Sequence, residues 1–265
     1  MAGVDPRPDG VAAFARQRSA LLDYCADLTD AQWYADSAAA GWRVHDVVAH
    51  LAASCRVLFS PAAVTVMTTR DIERANDTLV DPRRDWPRER VLAEYRRWSR
   101  AVLRFAAVVT RTPLRALPTR VGELGTFRMG VAVPGALVFD HHTHLHHDIA
   151  PVVGKPAPEI DADTMAVVVQ WMLAVLGNQL KAAPPRWLTG PVVLELHGAG
   201  GGRWRIHPDG AVTRDAGGEP VGTVRGPVAG FPAWGTTRTP WRQAGLELTG
   251  DSGQLERLLD AINIV

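Results

Sequence analysis

The sequence predicts an α+β fold, with a helical bundle over residues 1–182 and a small mixed α+β domain over residues 187–265. Apolar residues recur at helical spacing through the first part of the chain. After residue 182, apolar and polar residues alternate in PVVLELHG and GGRWRIHP, and glycine-rich turns between such segments are typical of short strands. The segment KAAPPRW separates the two patterns and is interpreted as a linker.

Five amphipathic segments are predicted to form the helices of the bundle. In each, apolar residues lie three or four positions apart, and prolines or helix-capping residues mark several of the ends. The segments are residues 9–28, 44–59, 91–110, 134–153 and 161–180. Residues 111–134 contain prolines and glycines without a long period, so we expect a connection there. The strands of the second domain are expected to be antiparallel, and residues 251–262 are predicted to form its closing helix.

Charge and cysteine content narrow the class of protein. The chain has 29 basic and 28 acidic residues, and a formal charge of +1 does not provide the basic surface that nucleic acids or anionic membranes require. Its two cysteines lie in apolar segments, as buried thiols in a reducing compartment do. The N-terminus lacks the pattern of an export signal, and the apolar stretches are too short or too polar for a membrane span. We therefore expect a cytoplasmic protein that binds neither nucleic acid nor membrane.

The stretch HHTHLHH, residues 141–147, contains five of the nine histidines. On a helix, side chains three, four and seven positions apart share a face. His141, His144 and Asp148 then lie on one flank of the stripe centred on Leu145. The pair formed by His142 and His146 lies on the opposite flank. Either flank could supply two metal ligands, because imidazoles at these spacings can chelate one ion.

His50 is the predicted third ligand. It lies among apolar residues on another helix, where an uncharged polar group needs a partner. The alternative is a hydrogen-bonded core histidine without a metal. Neutral imidazoles with one carboxylate suit zinc best, and also nickel or iron, and three protein ligands leave positions open for chemistry. The predicted metal ligands are His50, His141, His144 and Asp148.

The segment LTDAQWYADSAAAGWRVHDVVAHLAASCRVLFS, residues 28–60, resembles the N-terminal signature of the mycothiol-dependent maleylpyruvate isomerase family, part of the DinB-like metal-binding four-helix bundles. The resemblance implies that His50 points into the bundle. A second family feature is an acidic or histidine ligand, a histidine four residues later and an aspartate three residues beyond. DIAPVVG, residues 148–154, is similar to its last portion. An ungapped alignment then places Leu145 at the histidine and His141 at the first ligand, which departs from the pattern. Either His144 substitutes from the neighbouring position, or the ion uses His142 and His146, or this member has lost the site.

The resemblance also implies a function. The family performs metal-assisted chemistry on small organic acids or electrophiles with mycothiol as cofactor, which favours an isomerase or thiol transferase with a small-molecule substrate. The chain supplies no nucleophile of its own in a suitable place, which fits an external thiol. The segments VGTVRGPVAGF and LELTGD resemble the sterol-carrier-like domain often attached to these bundles. The alternative hypothesis is a non-enzymatic protein that binds an apolar or lipid-like ligand between the two parts.

Overall fold

A computed structural model describes residues 8–264, and its helical first part is followed by a small sheet. The predicted α+β class is confirmed. Residues 1–7, on which the expectation about export partly rests, lie outside the described residues. The helices of the first part are α1 (Gly10–Ala26), α2 (Asp30–Trp33), α3 (Val44–Val57), α4 (Ala62–Thr68), α5 (Ile72–Val80), α6 (Arg88–Arg111), α7 (Met129–Thr143), α8 (Ala150–Val153) and α9 (Ala162–Ala182).

The five long helices α1, α3, α6, α7 and α9 correspond to the five predicted segments. Helix α7 nevertheless begins at Met129, five residues before the predicted boundary, and Pro134 lies inside it. Because proline has no N–H, the carbonyl one turn earlier loses its helical donor there, yet the helix continues. The expected connection before it contains a two-stranded antiparallel hairpin, β1 (Pro118–Val121) with β2 (Gly125–Arg128).

The bundle is held together by apolar side chains on the inner faces of its helices. Helix α3 packs against α6, and α1 packs against both α7 and α6. Fully buried residues on α3 recur at helical spacing, at Val44, Val47, Val48 and Leu51. Each such side chain stabilises the fold by about 1.5–3 kcal/mol relative to an exposed position. His50 therefore enters the bundle on a rigid, well-packed helix.

Helix α9 packs on α7 and α1 and also reaches the sheet. By length and composition it could cross a membrane, and so could α3 and α4 taken together as one bent span. The sequence-based expectation that every apolar stretch is too short or too polar for a membrane span is wrong for α9. Most of α9 is buried inside the structure, as the central helix of a globular core is.

The second part contains a five-stranded sheet. Its strand order is β5-β4-β3-β6-β7, formed by β3 (Val192–His197), β4 (Gly202–Ile206), β5 (Val212–Arg214), β6 (Gly222–Pro227) and β7 (Glu247–Gly250). The expectation of antiparallel strands is wrong for one pair, because β3 and β6 are parallel. Strands β4 and β5 occupy one side of β3, and the chain then crosses to its other side. Two helices complete this part, α10 (Phe231–Gly235) and α11 (Ser252–Asp260).

The sheet lies along α9. A Cβ atom at Gly200, in the turn between β3 and β4, would lie 2.5 Å from the carbonyl oxygen of Ala162 at the start of α9, so only glycine fits this approach. Helix α10 packs on α9 as well. One hydrophobic cluster contains residues of the bundle and of the sheet. The change from helices to strands lies between α9 and β3, and the division into two domains stays a prediction.

Candidate metal centre

The histidine stretch interrupts the regular α-helix. Between α7 and α8 the chain forms a π-helical turn over His144–Ile149, in which the N–H of Ala150 donates to the carbonyl of Leu145, five residues earlier. A π-turn holds about one residue more than an α-turn and therefore changes which side chains face each other. Such turns recur at functional sites, so the side chains around this one are candidates for a binding or catalytic role.

Three potential metal ligands converge beside this turn. The Nε2 atom of His50 lies 3.2 Å from Oδ2 of Asp140, and Nε2 of His144 lies 3.4 Å from Oδ1 of the same carboxylate. The rings of His50 and His144 meet edge to face, with centroids 5.0 Å apart. One ligand atom from each of the three residues lies within 4.8 Å of the other two. Helix α3 supplies one of these groups, α7 the second and the first residue of the π-turn the third.

The site is enclosed on one side and open on another. His50 is 2% exposed, whereas the Asp140 side chain is 24% exposed. The indole of Trp42 covers both imidazoles, with its ring 5.1 Å from that of His50 and 6.2 Å from that of His144. Its Nε1–H donates to Oδ1 of Asp77 at 2.8 Å, which fixes the orientation of the indole. Trp42 therefore shields one face of the two imidazoles, and Asp140 is the most exposed of the three groups.

Asp148 holds His144 from behind. Its Oδ2 accepts from Nδ1–H of His144 at 2.6 Å, and both of its oxygens accept from the guanidinium of Arg238, at 2.9 and 2.8 Å. This contact leaves Nε2 of His144 facing Asp140. A carboxylate that accepts from the second nitrogen of a histidine is the usual way in which proteins orient a metal-binding imidazole.

These contacts set the charges of the group. Burial alone would lower the pKa of His144, but the hydrogen bonds to Asp140 and Asp148 raise it to about 9. Burial alone would raise the pKa of Asp148, but the hydrogen bonds from His144 and Arg238 lower it to about 2. Burial alone would raise the pKa of Asp140, but the interactions with His50 and His144 hold it well below its usual range. Both carboxylates are therefore anionic and attract a cation near neutral pH.

Arg238 comes from the second part of the chain, in the segment that follows α10. The residue before it, Thr237, has a φ of 58°, in the left-handed region that β-branched residues rarely adopt. Such a conformation persists only where the surrounding structure enforces it. The ion pair between Arg238 and the buried Asp148 thus joins the two parts of the chain directly behind the ligand group.

The predicted ligand His141 lies in a different environment. Its Nδ1–H donates to the carbonyl of Leu137 at 2.7 Å, and its ring packs edge-on against Phe14 at 5.1 Å. Tyr95 lies on another side of the same ring, 5.6 Å away. Burial lowers the pKa of His141 to about 4, so its ring is neutral near pH 7. The structure places this imidazole in the apolar core between α1, α6 and α7.

Of the predicted ligands, the structure brings His50 and His144 together, with Asp148 in contact with His144. Asp140, which sequence reasoning missed, occupies the place between the two imidazoles. The spacing contained a signal for it, because residues four apart on a helix differ by only about 40° in direction. His142 and His146, the other predicted pair, lie on another face, with ring centroids 4.2 Å apart.

The donor set fits a divalent transition ion. Two imidazole nitrogens and one carboxylate oxygen are a combination found in catalytic zinc sites, and they also suit nickel and iron. Three protein ligands leave the remaining coordination positions to water or substrate. The described residues thus include a group that could hold a divalent ion.

A comparison with protein families matches residues 14–150 to the mycothiol maleylpyruvate isomerase N-terminal domain. This match covers more than half of the chain and includes His50, Asp140 and His144. The chain belongs to this family. The resemblance that the sequence of residues 28–60 suggests is thereby confirmed.

Solved structures extend the likeness to the second part of the chain. A crystal structure of the mycothiol-dependent maleylpyruvate isomerase has a TM-score of 0.52 and 16% sequence identity, and the match covers 92% of this chain and 93% of that one. A crystal structure of a histidine-to-alanine mutant of that enzyme matches with the same TM-score and coverage, at 15% identity. These likenesses show a shared fold. No curated protein matches the chain.

Proposed function

We propose that this family member is a mycothiol-dependent isomerase or thiol transferase that uses a divalent metal ion and acts on a small organic acid or electrophile. The observation that carries the proposal is the convergence of His50, Asp140 and His144 within 4.8 Å of one another, inside a chain that belongs to the mycothiol maleylpyruvate isomerase family. Among substrates of this kind, maleylpyruvate is the first to test, because the similar crystal structures are of an enzyme named for it.

The π-turn supports an assignment of the ligands that the ungapped alignment misses. In the family pattern described above, an aspartate follows the ligand histidine by three residues. Here Asp148 follows His144 by four residues, and the π-turn that begins at His144 accommodates one additional residue. Asp140 and His144 then take the acidic and histidine positions, four residues apart. The mismatch at Leu145 disappears, and Leu145 is a fully buried core residue.

We assign the metal-holding role to His50, Asp140 and His144. The preferred ion is zinc, with nickel or iron as alternatives of the same ligand chemistry. A divalent ion bound there would polarise a carbonyl oxygen or lower the pKa of a thiol. Asp148 keeps Nε2 of His144 turned toward the site, and Arg238 balances the charge of Asp148. Trp42 excludes water from one side of the two imidazoles.

The thiol has to come from outside the protein. The sequence contains only Cys25 and Cys55, and both are buried. Burial raises the pKa of Cys25 to about 12, and it raises the pKa of Cys55 further, so neither forms a thiolate near neutral pH. An external thiol such as mycothiol supplies the nucleophile that the chain lacks. Reduced, buried cysteines and a thiol cofactor together support a cytoplasmic location.

The proposal is tested by metal analysis and turnover on the same preparations. The full chain is purified without a nickel column, and its metals are measured by mass spectrometry before maleylpyruvate isomerisation is assayed with and without mycothiol. We expect His50→Ala to lower the metal content by about one ion per chain and to abolish mycothiol-dependent turnover. The matched control is His197→Ala, which removes an exposed histidine of β3 and is expected to change neither quantity. A metal content unaffected by His50→Ala would contradict the proposal.

A further inference from the structure

A second cluster of imidazoles lies on another face of the same helix. The rings of His142 and His146 are 4.2 Å apart between centroids, tilted by 40°. The ring of His147 stands at 90° to that of His142, 5.9 Å away, and lies 6.5 Å from that of His146. None of these three histidines belongs to the group formed by His50, Asp140 and His144.

The π-turn explains why three rings meet. In a regular α-helix, a residue five positions further along points about 140° away, so His142 could contact His146 but not His147. In a π-turn, the hydrogen bond runs over five residues, and positions four and five residues apart both lie close to the first. The turn over His144–Ile149 therefore brings both later imidazoles next to His142.

The nitrogens of this cluster lack partners. His142 is 2% exposed, and neither Nδ1 nor Nε2 has a hydrogen-bond partner within residues 8–264. The Nε2 atom of His147 is also buried and has no hydrogen-bond partner among the described residues. A buried polar group without a partner destabilises a fold, and most such groups in native proteins bind a protein group, a water or an ion. The two unpartnered nitrogens of His142 thus point to a ligand.

We propose that His142, His146 and His147 bind a second divalent transition ion. A set of imidazole nitrogens without carboxylates or thiolates selects zinc, nickel or copper(II) over the hard ions magnesium and calcium. Among the described residues, the group whose ligand atoms all lie within 4.8 Å of one another is His50, Asp140 and His144, so an ion held by the second cluster requires rotation of its rings. The side chains of His146 and His147 are only half-buried, and rotation about their torsions is the change that the proposal requires. Because His142 precedes the π-turn and the other two lie in it, the ion ties the turn together.

This proposal does not depend on the proposed function. The second cluster shares no side chain with the first, so either site can be removed without removing a ligand of the other. The tests therefore use the full chain with the first group disabled by His50→Ala and Asp140→Asn. Zinc alone is the probe, and bound zinc is measured by equilibrium dialysis followed by mass spectrometry.

We expect the chain with His50→Ala and Asp140→Asn to retain about one zinc ion. Adding His146→Ala and His147→Ala should reduce this to none, whereas adding His197→Ala and His207→Ala, which removes both histidines of the sheet region, should leave it unchanged. Equal zinc retention with and without His146 and His147, or no retention in the parent variant, would overturn the proposal.

A second measurement covers the case in which disabling the first group prevents folding. In the otherwise native chain, His146→Ala with His147→Ala should lower the zinc stoichiometry by about one ion per chain, whether or not the first group also binds zinc, and should leave mycothiol-dependent turnover unchanged. Circular dichroism confirms that the variant is folded. A stoichiometry that stays the same in the two folded proteins would overturn the second site and leave the first untouched.

Discussion

Two faces of one helix carry histidines in opposite electrostatic settings. On the first face, His144 contacts Asp140 and Asp148, which raise its pKa to about 9 despite burial. On the second face, burial lowers the pKa of His146 to about 4, and burial with the neighbouring imidazoles lowers the pKa of His142 well below its usual value. The same residue type, a few positions apart, is thus cationic on one face and neutral on the other.

This difference shows that the nearby carboxylates determine the charge of each face and how it can bind a cation. On the first face, the charge of Asp148 is balanced by Arg238, and Asp140 attracts either the proton of His144 or a metal ion. An ion that binds Nε2 of His144 must therefore displace a proton. The second face offers neutral imidazoles and no carboxylate among its three side chains, and the charges that reach it are those of Arg238 and Asp148 at His147. It therefore gains a positive charge only when a cation binds. The following changes run from the largest expected effect to the smallest; the first tests a buried histidine–carboxylate pair outside both faces as a reference, and the other two test the faces themselves.

The first change concerns His45 and Asp46, a buried histidine–carboxylate pair that belongs to neither face. Asp46 is 1% exposed and accepts from His45, Arg43 and Arg84. Asp46→Asn should cost about 3 kcal/mol in the free energy of unfolding at pH 7, the lower end for a broken buried pair, because both guanidiniums stay partly hydrated. Chemical denaturation measures this cost, which a metal chelator should not change.

The pH dependence of that cost follows from the pKa of Asp46. Burial alone would raise it, but the hydrogen bonds from His45 and Arg43 hold it well below its usual range. A depressed carboxylate pKa stabilises the fold fully above the unfolded value of about 3.9, and this contribution is lost as the pH falls toward the folded value. The difference between wild type and Asp46→Asn should therefore be constant near neutrality and shrink below about pH 4. If the stability difference between wild type and Asp46→Asn grew on acidification, this prediction would be contradicted.

The second change removes the charge behind His144. In Asp148→Asn, the amide cannot balance Arg238 or hold Nδ1–H of His144 as strongly, so the affinity of the first face for zinc should fall about 10- to 100-fold. Competition with a chromophoric zinc chelator measures the affinity. Asp27→Asn, which removes an exposed carboxylate paired with Lys155, is the matched control and should leave the affinity unchanged. Equal affinities of all three proteins would show that Asp148 does not support the site.

The third change makes the second face apolar. His142→Leu removes two buried nitrogens that have no partner in the described part of the chain, and it should raise the stability of the metal-free protein by about 1 kcal/mol. Thermal unfolding in the presence of a chelator measures the gain. Added zinc should then stabilise the variant less than the wild type. A loss of stability in the metal-free variant would mean that His142 already has good partners.

The sequence predicts the framework better than the site. The spacing of apolar residues and the capping residues identify the long helices, because their apolar faces repeat over about four turns or more. The pairing of β3 with β6 depends on a crossover between distant strands, which local alternation does not encode. The early start of α7 was equally hidden, since a proline such as Pro134 is more often found in the first turn of a helix.

At the site, helical geometry predicts His50 and His144 as ligands, because each lies on a helix face directed into the bundle. Asp140 is absent from the predicted ligands because the five neighbouring histidines offer imidazole pairs on both flanks of Leu145, although Asp140 lies four residues before His144, on the same side of the helix. The π-turn could not be predicted, since the same residues satisfy an α-helical pattern. Arg238 could not be predicted either, because its partner Asp148 lies 90 residues away and the contact depends on how the two parts of the chain pack.

The most direct test of the central claim is an anomalous difference map from crystals of the full chain, with data collected at the absorption edge of the metal that copurifies. If His50, Asp140 and His144 hold the ion, a peak will lie about 2.0–2.2 Å from Nε2 of both imidazoles and from one oxygen of Asp140. It will be absent in His50→Ala crystals. A metal-containing protein with no peak at these atoms would contradict the account.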